Sequence, residues 1–324
     1  MLAAKIVQLN RSTTPSQLRG VGDFQGGREA INGDRVDSME QLRIDANGLT
    51  FAAFAWGDPD APLALLVHGY PDTAHTWRHL GQELAEKGYR AVAPFTRGYA
   101  PTDLAPNDSY LIADQAADIL ALHTALGGND NSLLIGHDWG AVATWAVTDR
   151  EPGRFRSYVC MAVPPTAALL KPFTKVKTLP IGLRQSWMSW YFVFNQLPGS
   201  ERSLDRVIPK LWRDWSPGYD GREDVAHVLR ALHDPGRRRA ALRYYRNNLQ
   251  RGLKDTFAMT PKAPVLYLHG ARDGCMQAAI VEAFPETLPA GSRYQRVDGV
   301  GHFMQLEDPP RVNALIAEWV GAPR

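Results

Sequence analysis

Three residues have types and surroundings suited to covalent chemistry: Asp138 and Asp273, each closing an apolar run, and His302, which follows a glycine after the next strand. Asp138 lies in Gly136-His137-Asp138-Trp139-Gly140, whose glycines suit a tight strand-to-helix turn that presents the central side chain for attack. Serine is the usual occupant of such a turn. A carboxylate is already ionised at neutral pH and attacks an electrophilic carbon without help from a base. By itself the pentapeptide fits equally an ordinary turn with an acid favoured at a helix start by the dipole. Further segments narrow the choice. His68-Gly69-Tyr70-Pro71 follows the run Leu63 to Val67, so the backbone N–H groups of Tyr70 and Trp139 would face one developing oxyanion. Leu268-His269-Gly270-Ala271-Arg272-Asp273 closes a strand with an acid, and Gly301-His302-Phe303 follows the next strand. The chain order is then nucleophile, acid, base: Asp138, Asp273, His302.

The elements that must position these groups can be read from periodicity. Gln41 to Asp45 and Leu49 to Trp56 predict a hairpin turning at Asn47-Gly48. Leu63 to Val67, Tyr89 to Pro94, Ser132 to Ile135, Phe155 to Val163, Pro264 to Leu268 and Ser292 to Val297 predict strands, several of them apolar on both faces as parallel strands are. Helices are predicted over Thr76 to Lys87, Tyr110 to Leu126, Ala141 to Arg150 and Pro310 to Val320. This alternation predicts a mostly parallel sheet flanked by helices on both faces. It stops between Thr166 and Asp255, where Trp187, Trp190, Trp212 and Trp215 cluster among helical patches such as Val225 to Leu232 and Arg238 to Leu249. The predicted organisation is an N-terminal arm over 1–40, a core over 41–165 and 256–324, and a helical insertion over 166–255.

Composition excludes several classes. With 36 Lys+Arg against 34 Asp+Glu the net charge is +2, so no global pull toward nucleic acid is expected. At 44% hydrophobic and 22% charged residues the chain reads as globular, and no apolar stretch is long enough to span a membrane. The charge is uneven: residues 166–255 hold 17 Lys+Arg and 8 Asp+Glu, a net of +9, which leaves −7 for the rest. A basic solvated surface explains this, and steering of anionic substrates is the alternative. Two cysteines, Cys160 and Cys275, form no disulfide framework, and no signal peptide is evident, so a cytoplasmic location is expected. The remaining histidines lack metal-ligand spacing, and neither metal nor cofactor is expected.

From residue 41 to 320 the chain resembles the epoxide hydrolase branch of the α/β-hydrolase family, including an inserted helical cap. That resemblance implies two cap tyrosines that hold the epoxide oxygen. Trp190-Tyr191-Phe192-Val193-Phe194-Asn195-Gln196-Leu197-Pro198-Gly199 is similar to the segment bearing the first, and Leu242-Arg243-Tyr244-Tyr245-Arg246-Asn247 to that bearing the second. Tyr191 and Tyr245 are the matching positions. The implied reaction is attack by Asp138 on an epoxide carbon, with a proton supplied by phenols whose ordinary pKa is about 10. An ester on Asp138 is then hydrolysed by water that His302, oriented by Asp273, deprotonates. Trp139, Trp187, Trp190 and Phe194 would line an apolar pocket for a small-molecule epoxide, in a monomer or homodimer.

A haloalkane dehalogenase shares the Asp nucleophile and the Trp after it, but a halide needs N–H donors rather than acids, and Tyr70 lacks the side-chain amide or acid found there in many of them. Fluoroacetate dehalogenases carry Arg where this chain has Trp139. A non-catalytic binder of small ligands is the alternative from another class, and it has no use for a base at His302.

Overall fold

The computed structural model describes residues 39–250, 256 and 258–323. The expected arm over 1–40 lies outside these residues except at its end, where Glu40 already opens the first strand rather than closing the arm. β1 (Glu40–Ala46) and β2 (Leu49–Trp56) form the expected hairpin, with Asn47 and Gly48 both at positive φ as a tight two-residue turn requires.

Six more strands complete one sheet: β3 (Leu63–Val67), β4 (Arg90–Pro94), β5 (Leu133–His137), β6 (Ser157–Met161), β7 (Val265–Gly270) and β8 (Arg293–Val297). Their order is β1-β2-β4-β3-β5-β6-β7-β8. β1 and β2 run antiparallel to their neighbours, and every pairing from β4 to β8 is parallel. β3 and β5 are buried at every position, which is why apolar residues fill successive positions in Leu63–Val67 and at 133–135 rather than alternating.

Helices α1 (Arg78–Glu86), α2 (Ile112–Ala125) and α3 (Trp139–Arg150) connect the first strands. α1 buries Leu80, Gly81, Leu84 and Ala85 and leaves its charges outside. α3 is buried over ten successive residues and begins at Trp139, two residues before the sequence predicts, so Asp138 is its cap. That early start is possible because Gly140 lets the first turn press against β3; a Cβ there would overlap the Val67 carbonyl oxygen.

Between β6 and β7 the chain leaves the sheet in 3₁₀ turns and in helices that include, among the described residues, α4 (Leu179–Met188), α5 (Trp190–Gln196), α6 (Leu204–Trp215), α7 (Arg222–Ala231) and α8 (Pro235–Gln250). This excursion shares the core of the sheet: Tyr191, Leu211 and Tyr245 belong to the same buried cluster as Leu65 and Ile135. Residues 251–255, the end of the expected insertion, lie outside those described. A charged anchor joins excursion to sheet. Arg97, after β4, holds Asp118 of α2 through Nε at 2.5 Å and Nη2 at 2.6 Å, and its carbonyl accepts the Tyr244 hydroxyl of α8 at 2.9 Å.

Candidate active site

The elbow between β5 and α3 holds Asp138 at φ 53° and ψ −119°, a left-handed backbone that costs an L-residue strain and is kept by the structure around it. Its neighbours enforce it. The Asp138 N–H donates to the Met161 carbonyl at 3.2 Å, and Val142 N–H donates to the Asp138 carbonyl at 3.0 Å. The side chain points to the loop after β3, where Tyr70 N–H donates to Oδ1 at 2.7 Å. Gly69 allows that approach, since a Cβ there would overlap both Asp138 Oδ1 and the Trp139 amide nitrogen. Of the two expected amide donors, Tyr70 reaches this oxygen, and the Trp139 nitrogen lies beside the same point of Gly69.

The other oxygen faces His302. Its Nε2 lies 3.6 Å from Asp138 Oδ2, while Nδ1 donates to Asp273 Oδ2 at 2.9 Å. Nε2 is buried and has no hydrogen-bond partner among the described residues. Asp273 is anchored in turn: its Oδ1 accepts from the N–H groups of Cys275 at 2.7 Å and Met276 at 2.9 Å. Gln185 of α4 ties this loop to the excursion, donating to the Cys275 carbonyl at 2.9 Å and accepting from Gln277 N–H at 3.0 Å. The end of α6 pins the histidine, because His302 N–H donates to the Trp215 carbonyl at 3.0 Å and the Trp215 ring lies edge-on at 5.0 Å. Burial alone would lower the pKa of His302, but the facing carboxylates of Asp273 and Asp138 outweigh it and raise the value to about 10. The resting group is an imidazolium between two carboxylates.

His137 packs beneath the elbow. Its Nε2 donates to the His302 carbonyl at 2.9 Å, and burial, with His302 adding to it, lowers its pKa to about 3, so the ring is neutral. His269 is likewise engaged, with Tyr267 at 2.6 Å and the Met276 carbonyl at 3.0 Å.

Opposite Asp138 a cavity of about 60 Å³ is walled by Trp139, Val142, Leu169, Tyr191, Phe192 and Tyr245 among others. Tyr191 comes from α5 and Tyr245 from α8, and their rings meet edge-on at 5.8 Å. The Trp139 ring stands perpendicular to Tyr245 at 5.1 Å. Burial pushes both phenols well above their ordinary pKa, Tyr191 further through Cys275 and Tyr245 further through the Asp138 charge. Both therefore stay protonated and can donate. The neighbouring Tyr244 spends its hydroxyl on the Arg97 carbonyl, which leaves Tyr245 as the phenol facing the cavity.

Trp187, Trp190 and Phe194, expected to line the pocket, do not. Trp187 is 80% exposed and Trp190 38%, and Phe194 packs at 6.0 Å on Trp190, outside the cavity. Helical phase is the reason: α4 and α5 turn Gly182, Gln185, Met188, Tyr191 and Asn195 inward, which sends positions 187, 190 and 194 the other way. Sequence reasoning also misses Cys275. Its Sγ lies 3.2 Å from the Tyr191 hydroxyl, and with Asp138 and His302 it forms the one set of possible metal-ligand atoms, all within 4.8 Å of one another, among the described residues. The only available signal is its position two residues after the acid. Phe192 and Met276, also in the wall, carry no signal beyond apolarity.

Residues 62–309 match the family described as alpha/beta hydrolase fold. Over 88% of this chain and 99% of its own length, the AB hydrolase superfamily protein YfhM of Bacillus subtilis is 27% identical. Epoxide hydrolase A of Mycobacterium tuberculosis is 26% identical over 86% of this chain and 96% of its own. Among solved structures, an epoxide hydrolase from Vigna radiata superposes with a TM-score of 0.70 at 26% identity, covering 87% of this chain and 97% of its own.

Proposed function

We propose, from the premise that this chain belongs to the α/β-hydrolase family, that it is an epoxide hydrolase working through an ester on Asp138. The observation that carries this reading is the pair of buried, protonated phenols, Tyr191 and Tyr245, across a cavity from an ionic Asp138–His302–Asp273 chain. Relatives named as epoxide hydrolases, aligned along most of the chain, support it.

An oxygen of Asp138 forms a bond to an epoxide carbon as the ring C–O bond breaks. The ring oxygen takes a proton from the phenols, and the imidazolium of His302 makes up that proton, so the state reached is ester, alcohol and neutral imidazole. Esterification itself favours this, because it removes one of the two charges that hold the imidazolium. Neutral His302 then takes a proton from water, and the hydroxide attacks the ester carbonyl. Negative charge gathers on the oxygen reached by the Tyr70 amide, with the Trp139 nitrogen beside it. Collapse returns the Asp138 carboxylate, the imidazolium and a vicinal diol. Net consumption is one epoxide and one water.

Haloalkane dehalogenation would need N–H donors aimed at a free halide. Two protonated phenols, Tyr191 and Tyr245, line the cavity instead, which favours the epoxide. Leu169 and Phe192 of the excursion form part of the cavity wall facing Asp138, as expected of helices acting as a cap. A single turnover in heavy-oxygen water, with enzyme in excess over a panel of epoxides and haloalkanes, tests the reading. The first diol should be unlabelled at the oxygen donated by Asp138; label in that first diol means direct attack by water and overturns the ester mechanism.

A further inference from the structure

The excursion has a second apolar face, and it points away from the cavity. Val176, Leu179, Leu183, Trp187, Trp190 and Val193 recur at spacings of three and four along α4, α5 and the turn before them. Val176 is 90% exposed and Val193 69%. Isolated exposed apolar side chains need no explanation, but six on one side of 18 successive residues do. The inward side is already satisfied by Gln185, Met188, Tyr191 and Asn195, so the outer stripe adds nothing to the core.

Charge identifies what would cover it. Between Glu151 and Glu201 there is no acidic residue. Lys171, Lys175, Lys177 and Arg184 fall in the same stretch, and none has an ion-pair partner among the described residues. Lys175 rests over the Phe284 ring at 5.5 Å, a contact that leaves its charge uncompensated. A second copy of the chain is a poor occupant, because a symmetric contact would set these cations against themselves. Exposed tryptophans among aliphatic residues and unpaired cations suit the boundary between lipid headgroups and acyl chains.

We propose that this face docks the protein onto anionic phospholipid bilayers, lying within the headgroup layer. Among the described residues no helix is long and apolar enough to cross a membrane, so the contact is peripheral. The inner side of the same helices bears Tyr191 and Phe192 of the cavity wall. Docking would bring the cap against a phase in which apolar epoxides concentrate, a consequence that rests on the proposed activity, whereas the docking itself does not.

The test uses the full chain with phosphatidylcholine vesicles, with and without about one-third phosphatidylglycerol, read by flotation and tryptophan fluorescence. Expected are binding and a blue shift only with phosphatidylglycerol, reversed by high salt. Lys175→Glu with Lys177→Glu and Arg184→Glu should weaken binding by roughly a hundredfold or more, at about fivefold per charge removed. Leu183→Asp with Trp187→Asp should abolish it. All five side chains are exposed, so unchanged circular dichroism and unchanged turnover of a water-soluble epoxide show that the fold survives. Absence of binding, equal binding to both vesicle types, or a wild-type dimer that Leu183→Asp dissociates overturns the proposal. Binding without turnover of any epoxide would overturn the enzymatic reading alone.

Discussion

Replacing Asp138 by Asn keeps the shape of the elbow side chain and removes its charge, and the expected result is a large fall in the pKa of His302. The magnitude follows from the structure. His302 Nε2 is 3.6 Å from Asp138 Oδ2. At an effective dielectric of about 20, Coulomb's law gives about 4.6 kcal/mol for that separation. At about 1.36 kcal/mol per unit this is about three pKa units, and with water-like screening just under one. Starting from about 10, the Asp138→Asn protein should titrate near 7, since Asp273 still holds Nδ1 at 2.9 Å. The assay is a pH titration of the isotope-labelled imidazole by nitrogen NMR in both proteins. The substituted amide also imitates the uncharged ester, so the same measurement reports the basicity of His302 when it must take a proton from water. A midpoint moved by less than about half a unit, or moved upward, would refute the claim that esterification switches the imidazole into a base.

Tyr191→Phe and Tyr245→Phe should each slow ring opening by about a hundredfold while leaving hydrolysis of a preformed ester nearly unchanged, as followed by rapid quench. Equal alkylation rates would return both rings to a packing role. His302→Gln should trap the ester, visible as the mass of the substrate added to the intact protein. In the wild type, hydrolysis of the ester should quicken as pH rises through about 7, because only neutral His302 accepts a proton and its pKa falls once Asp138 is uncharged; a flat single-turnover profile would count against this. Asp118→Ala should lower stability by about 3 kcal/mol in urea unfolding, because it leaves Arg97, 4% exposed, with only the more distant Asp114 carboxylate and two backbone carbonyls.

Much of this arrangement is legible in the sequence because it is set by backbone demands. Asp138 and Asp273 each follow a buried apolar strand and His302 follows the next strand along the chain, while the glycines around Asp138 and at position 69 mark where backbones must approach. The strand ends predict which residues share one edge of the sheet. The excursion is harder to read. α4 and α5 carry apolar residues on both sides, so residue type does not say which side faces the cavity, and the inward positions include polar Gln185 and Asn195. Aromatic content alone therefore misplaces Trp187, Trp190 and Phe194. Tyr245 is distinguished from Tyr244 by helical phase and by the Arg97 carbonyl, a partner 147 residues away along the chain. Cys275 escapes notice because a lone thiol has no spacing to recognise.

The left-handed backbone at Asp138 also sets stability against activity. A glycine at that position adopts φ 53° freely, and release of the strain would be worth about 1–3 kcal/mol. The most stable chain with this fold is thus not one that can open an epoxide by the proposed route. Selection for thermal tolerance alone would tend to discard the carboxylate, and libraries built for stability should hold position 138 fixed.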